Sequence, residues 1–231
     1  MNYSIECGTF PVVLVNLEEG ESIHTDGGAM AWMSPNLEME TEGGGSFGKA
    51  IGRLFSGEKV FRNIYTAVGG PGLIALNPKV PGEILAVEIT PDKPIILQKS
   101  SFLACTMGVN TEVFFNKKAS TGLFAGEGFV MQKIYGEGIV FVEIDGATME
   151  YELGSNESMI VDTGSLAMME ATCSMDIKTI SGVKNVLFGG EGLFNTVISG
   201  PGKVTVQTLS LKDIADALIP YLPTQSSSSS N

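Results

Sequence analysis

One short motif, present three times, limits what this chain can fold into more than any other feature. The motif is Phe-x-Gly-Glu, and its copies span residues 55–58, 124–127 and 188–191. Apolar residues follow each copy, and a Gly-x-Gly turn comes after them, at residues 70–72, 136–138 and 200–202. One copy would be a weak signal. Three copies in the same order indicate internal repeats, in which each unit covers the apolar faces of its neighbours.

A second signature precedes each copy of the motif: an apolar strand end, a polar turn, a second strand and a small–x–apolar–Ala segment. The apolar anchors of the second strand step by 73 and 63 residues, at Ile23, Ile96 and Met159. The alanines of the last segment keep the same two steps, at Ala31, Ala104 and Ala167. We therefore predict three β-repeat units, at about 5–77, 78–144 and 145–210.

The local patterns within these units predict strands. Stretches such as 84–89 and 204–209 are rich in β-branched residues, and 29 glycines separate short apolar runs throughout the chain. Each unit would hold five to seven short strands, which are too few to close well alone. The sequence thus predicts an all-β fold in which three repeats pack into one compact domain.

A short helix is predicted after the third unit, over residues 211–222. Five apolar residues between positions 211 and 219 would share one helical face, which we expect to dock on the β body or on another subunit. Pro220 and Pro223 end this pattern. The remaining segment, 223–231, is serine-rich and predicts a disordered tail.

The composition excludes several classes of protein. The net charge of −12 would repel nucleic acid, and the basic residues form only small clusters. The cysteines number three and none lies in a Cys-x-x-Cys pair, so neither a disulfide framework nor a structural zinc site is indicated. No signal peptide and no transmembrane stretch is visible. We expect a cytoplasmic protein, and peripheral association with a membrane stays open.

A glycine-rich loop, residues 43–52, is inserted in the first unit alone, and because it breaks the threefold pattern it is the best single candidate for a contact with a partner or ligand. Its spacing does not match the phosphate-binding Gly-x-x-x-x-Gly-Lys-Ser/Thr motif. The candidate binding residues of this region are Gly43, Gly44, Gly45, Phe47, Lys49 and Arg53. The motif glutamates Glu58, Glu127 and Glu191 would either accept backbone N–H bonds at their turns or, near a pseudo-threefold axis, bind a cation.

Other conspicuous residues have ordinary structural interpretations. His24 is the only histidine, so a metal site with several histidines is excluded and a catalytic triad is not indicated; we expect a surface imidazole on a strand or turn. Cys105 and Cys173 lie in alternating apolar segments and are expected to be buried. For Trp32 we favour a buried indole over an exposed apolar anchor.

The chain resembles bacterial members of the mitochondrial-biogenesis AIM-type family over nearly its whole length. The resemblance rests on residues 31–35 (Ala-Trp-Met-Ser-Pro), on the 43–52 loop with the Arg53 that follows it, and on the repeated turns. It implies a fold like that of the tryptophan RNA-binding attenuator protein, with three structural repeats of a double-stranded-β-helix-like or β-sandwich module, and a homotrimer. The RNA binding of that protein is not carried over, because this chain lacks a recurring array of Lys and Arg.

These observations predict a non-enzymatic scaffold or protein-interaction protein, related to proteins that organise membrane complexes, with itself and an unknown protein as partners. No catalytic residue, metal or cofactor is predicted. The first alternative is a protein that binds a small molecule or an ion in a pocket between repeats. The second is a hydrolase or lyase that uses the three motif glutamates.

Overall fold

The computed structural model describes residues 1–42, 62–117, 129–179 and 194–222. Most of these residues lie in antiparallel β-strands, as the alternating apolar stretches predict. The strands are β1 (Asn2–Glu6), β2 (Val12–Leu17), β3 (Ser22–Asp26), β4 (Met30–Met33), β5 (Leu37–Glu42), β6 (Arg62–Ala67), β7 (Gly72–Leu76), β8 (Gly82–Ile89), β9 (Ile95–Gln98), β10 (Phe102–Thr106), β11 (Val109–Lys117), β12 (Phe129–Gly136), β13 (Gly138–Asp145), β14 (Thr148–Leu153), β15 (Ser158–Asp162), β16 (Leu166–Glu170), β17 (Ser174–Thr179), β18 (Phe194–Ser199) and β19 (Gly202–Gln207).

The described strands after β1 form three consecutive sets of six that pair in the same way. We name them set 1 (β2–β7), set 2 (β8–β13) and set 3 (β14–β19). In every set the sixth strand pairs with the first and the third, and the fifth strand pairs with the second and the fourth. Each set therefore supplies two groups of three strands that are not paired with each other.

Successive sets are joined through shared sheets. The second strand of set 1 pairs with the third strand of set 2 (β3 with β10), and we call this contact the first junction. The second junction joins β9 of set 2 to β16 of set 3 in the same manner. Each junction completes a six-stranded sheet, in the orders β5-β6-β3-β10-β13-β8 and β11-β12-β9-β16-β19-β14. At the two ends of the array remain a four-stranded sheet, β1-β2-β7-β4, and a three-stranded sheet, β15-β18-β17.

The strand registers correct the sequence alignment of set 2 by one residue. The third strands are equivalent at Trp32, Ala104 and Met168, because these residues lie opposite sixth-strand residues at the same distance from the second glycine of each Gly-x-Gly turn. The second strands are equivalent at Ile23, Ile95 and Met159, which lie opposite Tyr65, Ile134 and Ile198. The predicted anchors Ile96 and Ala104 are thus each one position too late. The error arises because residue type is ambiguous here: Ile95 and Ile96 are adjacent isoleucines, and Ala104 directly follows the equivalent position, Leu103.

Three clusters of buried apolar side chains form the core. The first cluster includes Leu17 and Leu103 and joins sets 1 and 2, and the second includes Phe102 and Ala167 and joins sets 2 and 3. The third lies between sets 2 and 3 and at the outer end of set 3. The clusters therefore follow the junctions, because each shared sheet buries apolar residues of two sets. The predicted burial of Cys105 and Cys173 is confirmed.

Glycine is required where the Gly-x-Gly turns enter the sixth strands. Gly138 has a φ of +143° and Gly202 a φ of +141°, which is a region that L-residues with a Cβ rarely adopt. A Cβ at Gly138 would also collide with Oγ1 of Thr106, and a Cβ at Gly202 would lie 2.5 Å from Oγ1 of Thr172. In sets 2 and 3, the turns that mark the repeats in the sequence are therefore fixed by close contact with Thr106 and Thr172.

A single α-helix occurs in the described residues, α1 (Leu211–Leu218), and a 3₁₀ turn over Ile219–Tyr221 follows it. The helix begins where Ser210 Oγ accepts a bond from the N–H of Asp213, which is the arrangement of an N-cap. The predicted helix of 211–222 is confirmed in place. The predicted docking of the helix on the β body is not confirmed, because the side chains of Leu218 and Ile219 are more than half exposed. Docking on another subunit stays a prediction.

The predicted fold class, an all-β chain with a short C-terminal helix, is confirmed. The unit boundaries at 77 and 144 stay predictions of how the chain divides. The segment predicted to be a disordered tail, 223–231, lies outside the described residues. Within the described ranges, no helix is both long and apolar enough to cross a bilayer.

Candidate functional site

All binding residues predicted from sequence fall outside the part of the chain that the structure describes. They belong to the glycine-rich loop and to the three Phe-x-Gly-Glu motifs: Gly43, Gly44, Gly45, Phe47, Lys49, Arg53, Glu58, Glu127 and Glu191. Whether the glutamates meet near an axis stays a prediction. The described residues instead point to three other features, namely a pair of uncovered apolar strand edges, an ion cluster around the buried Glu143, and an open cleft.

The first uncovered edge is β4. Trp32 is 53% exposed and Met33 is 36% exposed, so the expectation of a buried Trp32 is wrong. The equivalent residues of β10 and β16 are all buried: Ala104 and Cys105 in β10, and Met168 and Met169 in β16. The difference lies in the neighbours, because β10 and β16 have a strand on both sides. Among the described residues, β4 is paired with β7 alone.

The second uncovered edge is β15, at the other end of the array. Its central residue, Ile160, is 66% exposed, whereas the equivalent Ile96 of β9 is buried. Within the described ranges β15 pairs with β18 alone. The body of each edge strand lacks Lys and Pro, residues that commonly protect exposed edges from association. These two strands are therefore suited to pair with a further strand.

The ion cluster lies at the first junction. Lys79 Nζ is 2.8 Å from Oδ2 of Asp26 and 3.3 Å from Oε1 of Glu143. The backbone N–H of Lys79 also donates to Oε2 of Glu143 at 3.1 Å. Glu143 is almost fully buried, whereas half of the Lys79 side chain is exposed. The cluster thus joins the connection between sets 1 and 2 to one strand of each.

Burial governs the protonation of this cluster. It raises the pKa of Glu143 to about 7, and the attraction of Lys79 together with the backbone bond keeps the pKa from rising further. Burial also disfavours the charged form of Lys79, but the two carboxylates outweigh it, so the pKa of Lys79 lies above its ordinary value. Glu143 therefore titrates near neutral pH while it is enclosed by protein.

A neutral side chain occupies the corresponding place at the second junction. Gln207 follows Val206 as Glu143 follows Val142, and it is also buried. Its Oε1 accepts a bond from the backbone N–H of Asp145 at 3.1 Å, and its Nε2 donates to the carbonyl of Gly164 at 2.9 Å. Burial raises the pKa of Asp145, while the N–H bond from Leu211 opposes this.

An open cleft of about 450 Å³ lies between the N-terminal strand and set 2. Its lining includes Tyr3 of β1 and two acidic residues, Glu88 and Glu137. The rest of the lining is mainly small or apolar: Ala86, Ile89, Thr90, Gly138 and Ile139. Two acidic residues in an open lining suit a small ligand that carries positive charge.

Potential metal ligands are scattered over the described residues. Within 1–42, 62–117, 129–179 and 194–222, no three His, Cys, Asp or Glu side chains lie close enough together to hold a metal ion. His24 is on strand β3, as predicted, but it is half-buried, and it faces Cys105 across the first junction.

The sequence analysis missed the ion cluster, although a weak signal for it exists. Asn77, Glu143 and Gln207 each follow the apolar run of a sixth strand, at the same distance from its Gly-x-Gly turn. A polar residue repeated directly after a run of apolar residues suggests a hydrogen bond at a fixed place. Its partners, Lys79 and Asp26, carry no such signal because their contact depends on the tertiary fold.

Comparison with known proteins settles the family. The model of the family described as "Mitochondrial biogenesis AIM24" matches residues 3–209. The chain belongs to this family. An uncharacterised protein of Streptococcus pyogenes serotype M6 is 32% identical over 227 residues, which cover 94% of this chain and 89% of that protein. The crystal structure of a Streptococcus pyogenes protein superposes with a TM-score of 0.81 at 27% identity, covering 96% of this chain and 99% of that one.

The match confirms the resemblance drawn from residues 31–35 and from the repeated turns. It extends over all three sets of strands, so both uncovered edges and the ion cluster lie within the family's part of the chain. Helix α1 begins after the matched residues end.

Proposed function

We propose that this AIM24-family protein is a non-enzymatic scaffold that acts in the cytoplasm, assembles with itself as a homotrimer and holds a protein partner. The observation that carries the proposal is the exposure of Trp32, Met33 and Ile160 on strands whose counterparts are covered. Large apolar side chains clustered on strands with one uncovered edge favour association with another chain. Three thiols without disulfide bonds, two of them buried, are in keeping with a reducing compartment.

The chemistry of the described residues supports a binding role over a catalytic one. Among the described residues, the pKa shift is largest for Glu143. This side chain is enclosed at the first junction and bonded to Lys79, so a substrate in solvent does not reach it. A perturbed pKa at such a place is typical of a structural ion pair. The apolar face of α1 offers a second exposed surface, formed by Leu211, Leu218 and Ile219, to which a partner can bind.

The oligomeric state tests self-assembly directly. Light scattering coupled to size-exclusion chromatography should give the mass of a discrete oligomer, three times the 24.4 kDa chain, over a range of protein concentrations. A mass of 24.4 kDa at every concentration would exclude the proposal. Affinity purification from the native cell tests the partner, by comparing the intact chain with variants that lack the 43–52 loop or residues 211–222. Loss of the same bound protein in one variant would locate its binding surface.

The cleft beside Tyr3 supports a second candidate, the binding of a cationic small molecule or an ion. A ligand that binds the folded state raises the thermal midpoint, so we expect a concentration-dependent rise with the right cation or amine. The rise should disappear in a Glu88→Gln, Glu137→Gln double variant and persist in Glu38→Gln, an exposed glutamate on β5. A panel of cations and amines without any shift would remove this alternative.

A further inference from the structure

We propose that β15 of one copy pairs antiparallel with β4 of a second copy, so that copies join head to tail and close into a ring. The inference rests on the proposed self-assembly and specifies its contact. It also names the occupant of the two uncovered edges: each is covered by the opposite end of the same kind of chain.

In the pairing order of the three sets, one second strand and one third strand take part in no junction. A junction pairs the second strand of one set with the third strand of the next. The first junction uses β3 and β10, and the second uses β9 and β16. Of the second and third strands described, β15 and β4 are the two outside any junction. They are the two complementary halves of a third junction, one at each end of the array.

The sheets at the ends complete each other as well. Placing β15 beside β4 joins the three-stranded sheet to the four-stranded sheet in the order β17-β18-β15-β4-β7-β2-β1. The first six strands of that order correspond one for one to the six strands of both complete sheets. The third sheet would have the same order as the other two, with β1 added at its edge.

The two observed junctions fix the register of the third. At the first junction Thr25 lies opposite Ala104, and at the second Leu97 lies opposite Met168. The equivalent residues of the two strands with uncovered edges, β15 and β4, are Val161 and Trp32. The predicted cross-strand pairs between copies are therefore Val161 with Trp32, Ile160 with Met33, and Met159 with Ser34.

The side chains of these pairs suit a buried junction. Five of the six residues are apolar, and none is charged. Ile160 and Met33 are exposed in the single chain, whereas their counterparts at the second junction, Ile96 and Met169, are each 1% exposed. A slip by one residue would turn these side chains to the opposite face, so the register is specified by burial.

The contact joins two different edges, so it is heterologous. Such contacts generate either a closed ring or an open filament, depending on the rotation between copies. A ring satisfies both edges of every copy, whereas a filament of any length leaves one edge of each kind uncovered. The proposed homotrimer would be such a ring, with three intermolecular junctions and six intramolecular ones.

Disulfide trapping between two copies tests the register. In a Cys7→Ser background, which removes the exposed thiol, one copy carries Met33→Cys and the other carries Ile160→Cys. Side chains directly opposite each other in antiparallel strands are close enough to form a disulfide, whereas diagonal neighbours are about 7–8 Å apart. We expect a crosslinked dimer only when the two variants are mixed. Replacing Ile160→Cys with Ser158→Cys, two residues out of register, should reduce the yield several-fold.

A charge on one edge tests the contribution of the contact to assembly. Met33→Lys places an ammonium group in the proposed junction and should raise the dissociation constant on the order of a hundredfold. Met149→Lys is the matched control, because Met149 is also an exposed methionine on an edge strand, β14, which belongs to a different sheet from β4 and from β15. Circular dichroism of both variants establishes that each is folded before its mass is measured.

The outcomes separate this inference from the proposal on which it rests. A monomeric wild type at all concentrations would overturn both. An oligomeric wild type with no Met33–Ile160 crosslink and no effect of Met33→Lys would overturn the head-to-tail contact alone. A chain with both cysteines that crosslinks internally, at monomer mass, would show that β4 and β15 of one copy close on each other, and would also overturn it. Trapping in register with dissociation by Met33→Lys would support it.

Discussion

The two junctions between the strand sets share one hydrogen bond, from a backbone N–H to a buried side-chain oxygen, and differ in charge. At the first, the N–H of Lys79 donates to the carboxylate of Glu143, and at the second the N–H of Asp145 donates to the amide oxygen of Gln207. The first junction adds an ammonium group beside its buried acid. The second has an acid, Asp145, in the place of Lys79, and a neutral amide in the place of Glu143.

This difference indicates that the buried side chain at the position of Glu143 and Gln207 must accept a hydrogen bond. A negative charge there requires a cation at the connection between the sets. A carboxylate is tolerated at position 143 because Lys79 lies beside it, whereas an amide serves next to Asp145. A buried charge without a partner is strongly destabilising, whereas a hydrogen-bonded amide is not. Only the first junction is therefore built to respond to pH near neutrality.

The largest expected effect comes from placing the acid at the wrong junction. Gln207→Glu would bury a carboxylate near Asp145 without a cation and would remove the bond to Gly164. We expect a loss of about 4 kcal/mol of unfolding free energy at pH 8, measured by urea denaturation. The loss should shrink at pH 5, where the new acid can hold a proton. An equal loss at both pH values would mean that packing, not charge, decides the position.

The reciprocal change, Glu143→Gln, should remove a pH dependence. The folded chain holds the Glu143 proton up to about pH 7, whereas the unfolded chain releases it near its ordinary value of 4.5. The free energy of unfolding therefore decreases as the pH rises through this window, by on the order of 3 kcal/mol, and the contribution is lost above pH 7. The variant should lack this decrease. Parallel stability profiles for the two proteins between pH 4.5 and 8 would contradict the assignment.

Removing the cation should have a smaller effect, because half of Lys79 is exposed to solvent. Lys79→Met should cost about 2 kcal/mol at pH 8, since Glu143 then lacks its partner, and much less at pH 5. Lys203→Met is the control: its pair with Glu150 is exposed on both sides, and its loss should cost less than about 0.5 kcal/mol. Similar losses in the two variants would place Lys79 among ordinary surface ion pairs.

The smallest expected effect comes from an electrostatic interaction between the two junctions. The negative charge of Asp145 helps to raise the pKa of Glu143, so Asp145→Asn should move the Glu143 titration to slightly lower pH. Carboxyl carbon chemical shifts in NMR spectra would report the titration of Glu143 directly. A titration at higher pH in the variant would mean that Asp145 acts on Glu143 by some other route.

The fold was predictable from sequence because its signals are local. Alternating apolar residues indicate strands, and the Gly-x-Gly turns mark the entry to each sixth strand, where glycine is required by close contacts at Gly138 and Gly202. The register of set 2 was wrong by one residue because residue type does not distinguish Ile95 from the adjacent Ile96. The apolar face of α1 was visible, but the sequence does not reveal that the β body leaves it uncovered.

The candidate sites were not predictable in the same way. Exposure of Trp32 depends on whether a strand lies beside β4, and an aromatic residue in an apolar run has the same appearance in either case. The cluster of Lys79, Asp26 and Glu143 joins residues more than 50 positions apart in sequence, and a single sequence contains no record of such a contact. The glycine-rich loop and the motif glutamates stay predictions.

The sharing of every complete sheet by two sets has an evolutionary consequence. Each set presents the same kind of strand to the set before it and the same kind to the set after it. A duplication in frame of the segment that encodes one set would therefore lengthen the array without creating a new type of contact, and the longer protein would keep the same two kinds of free edge. Families built in this way can change in length by whole modules while their mode of association is preserved.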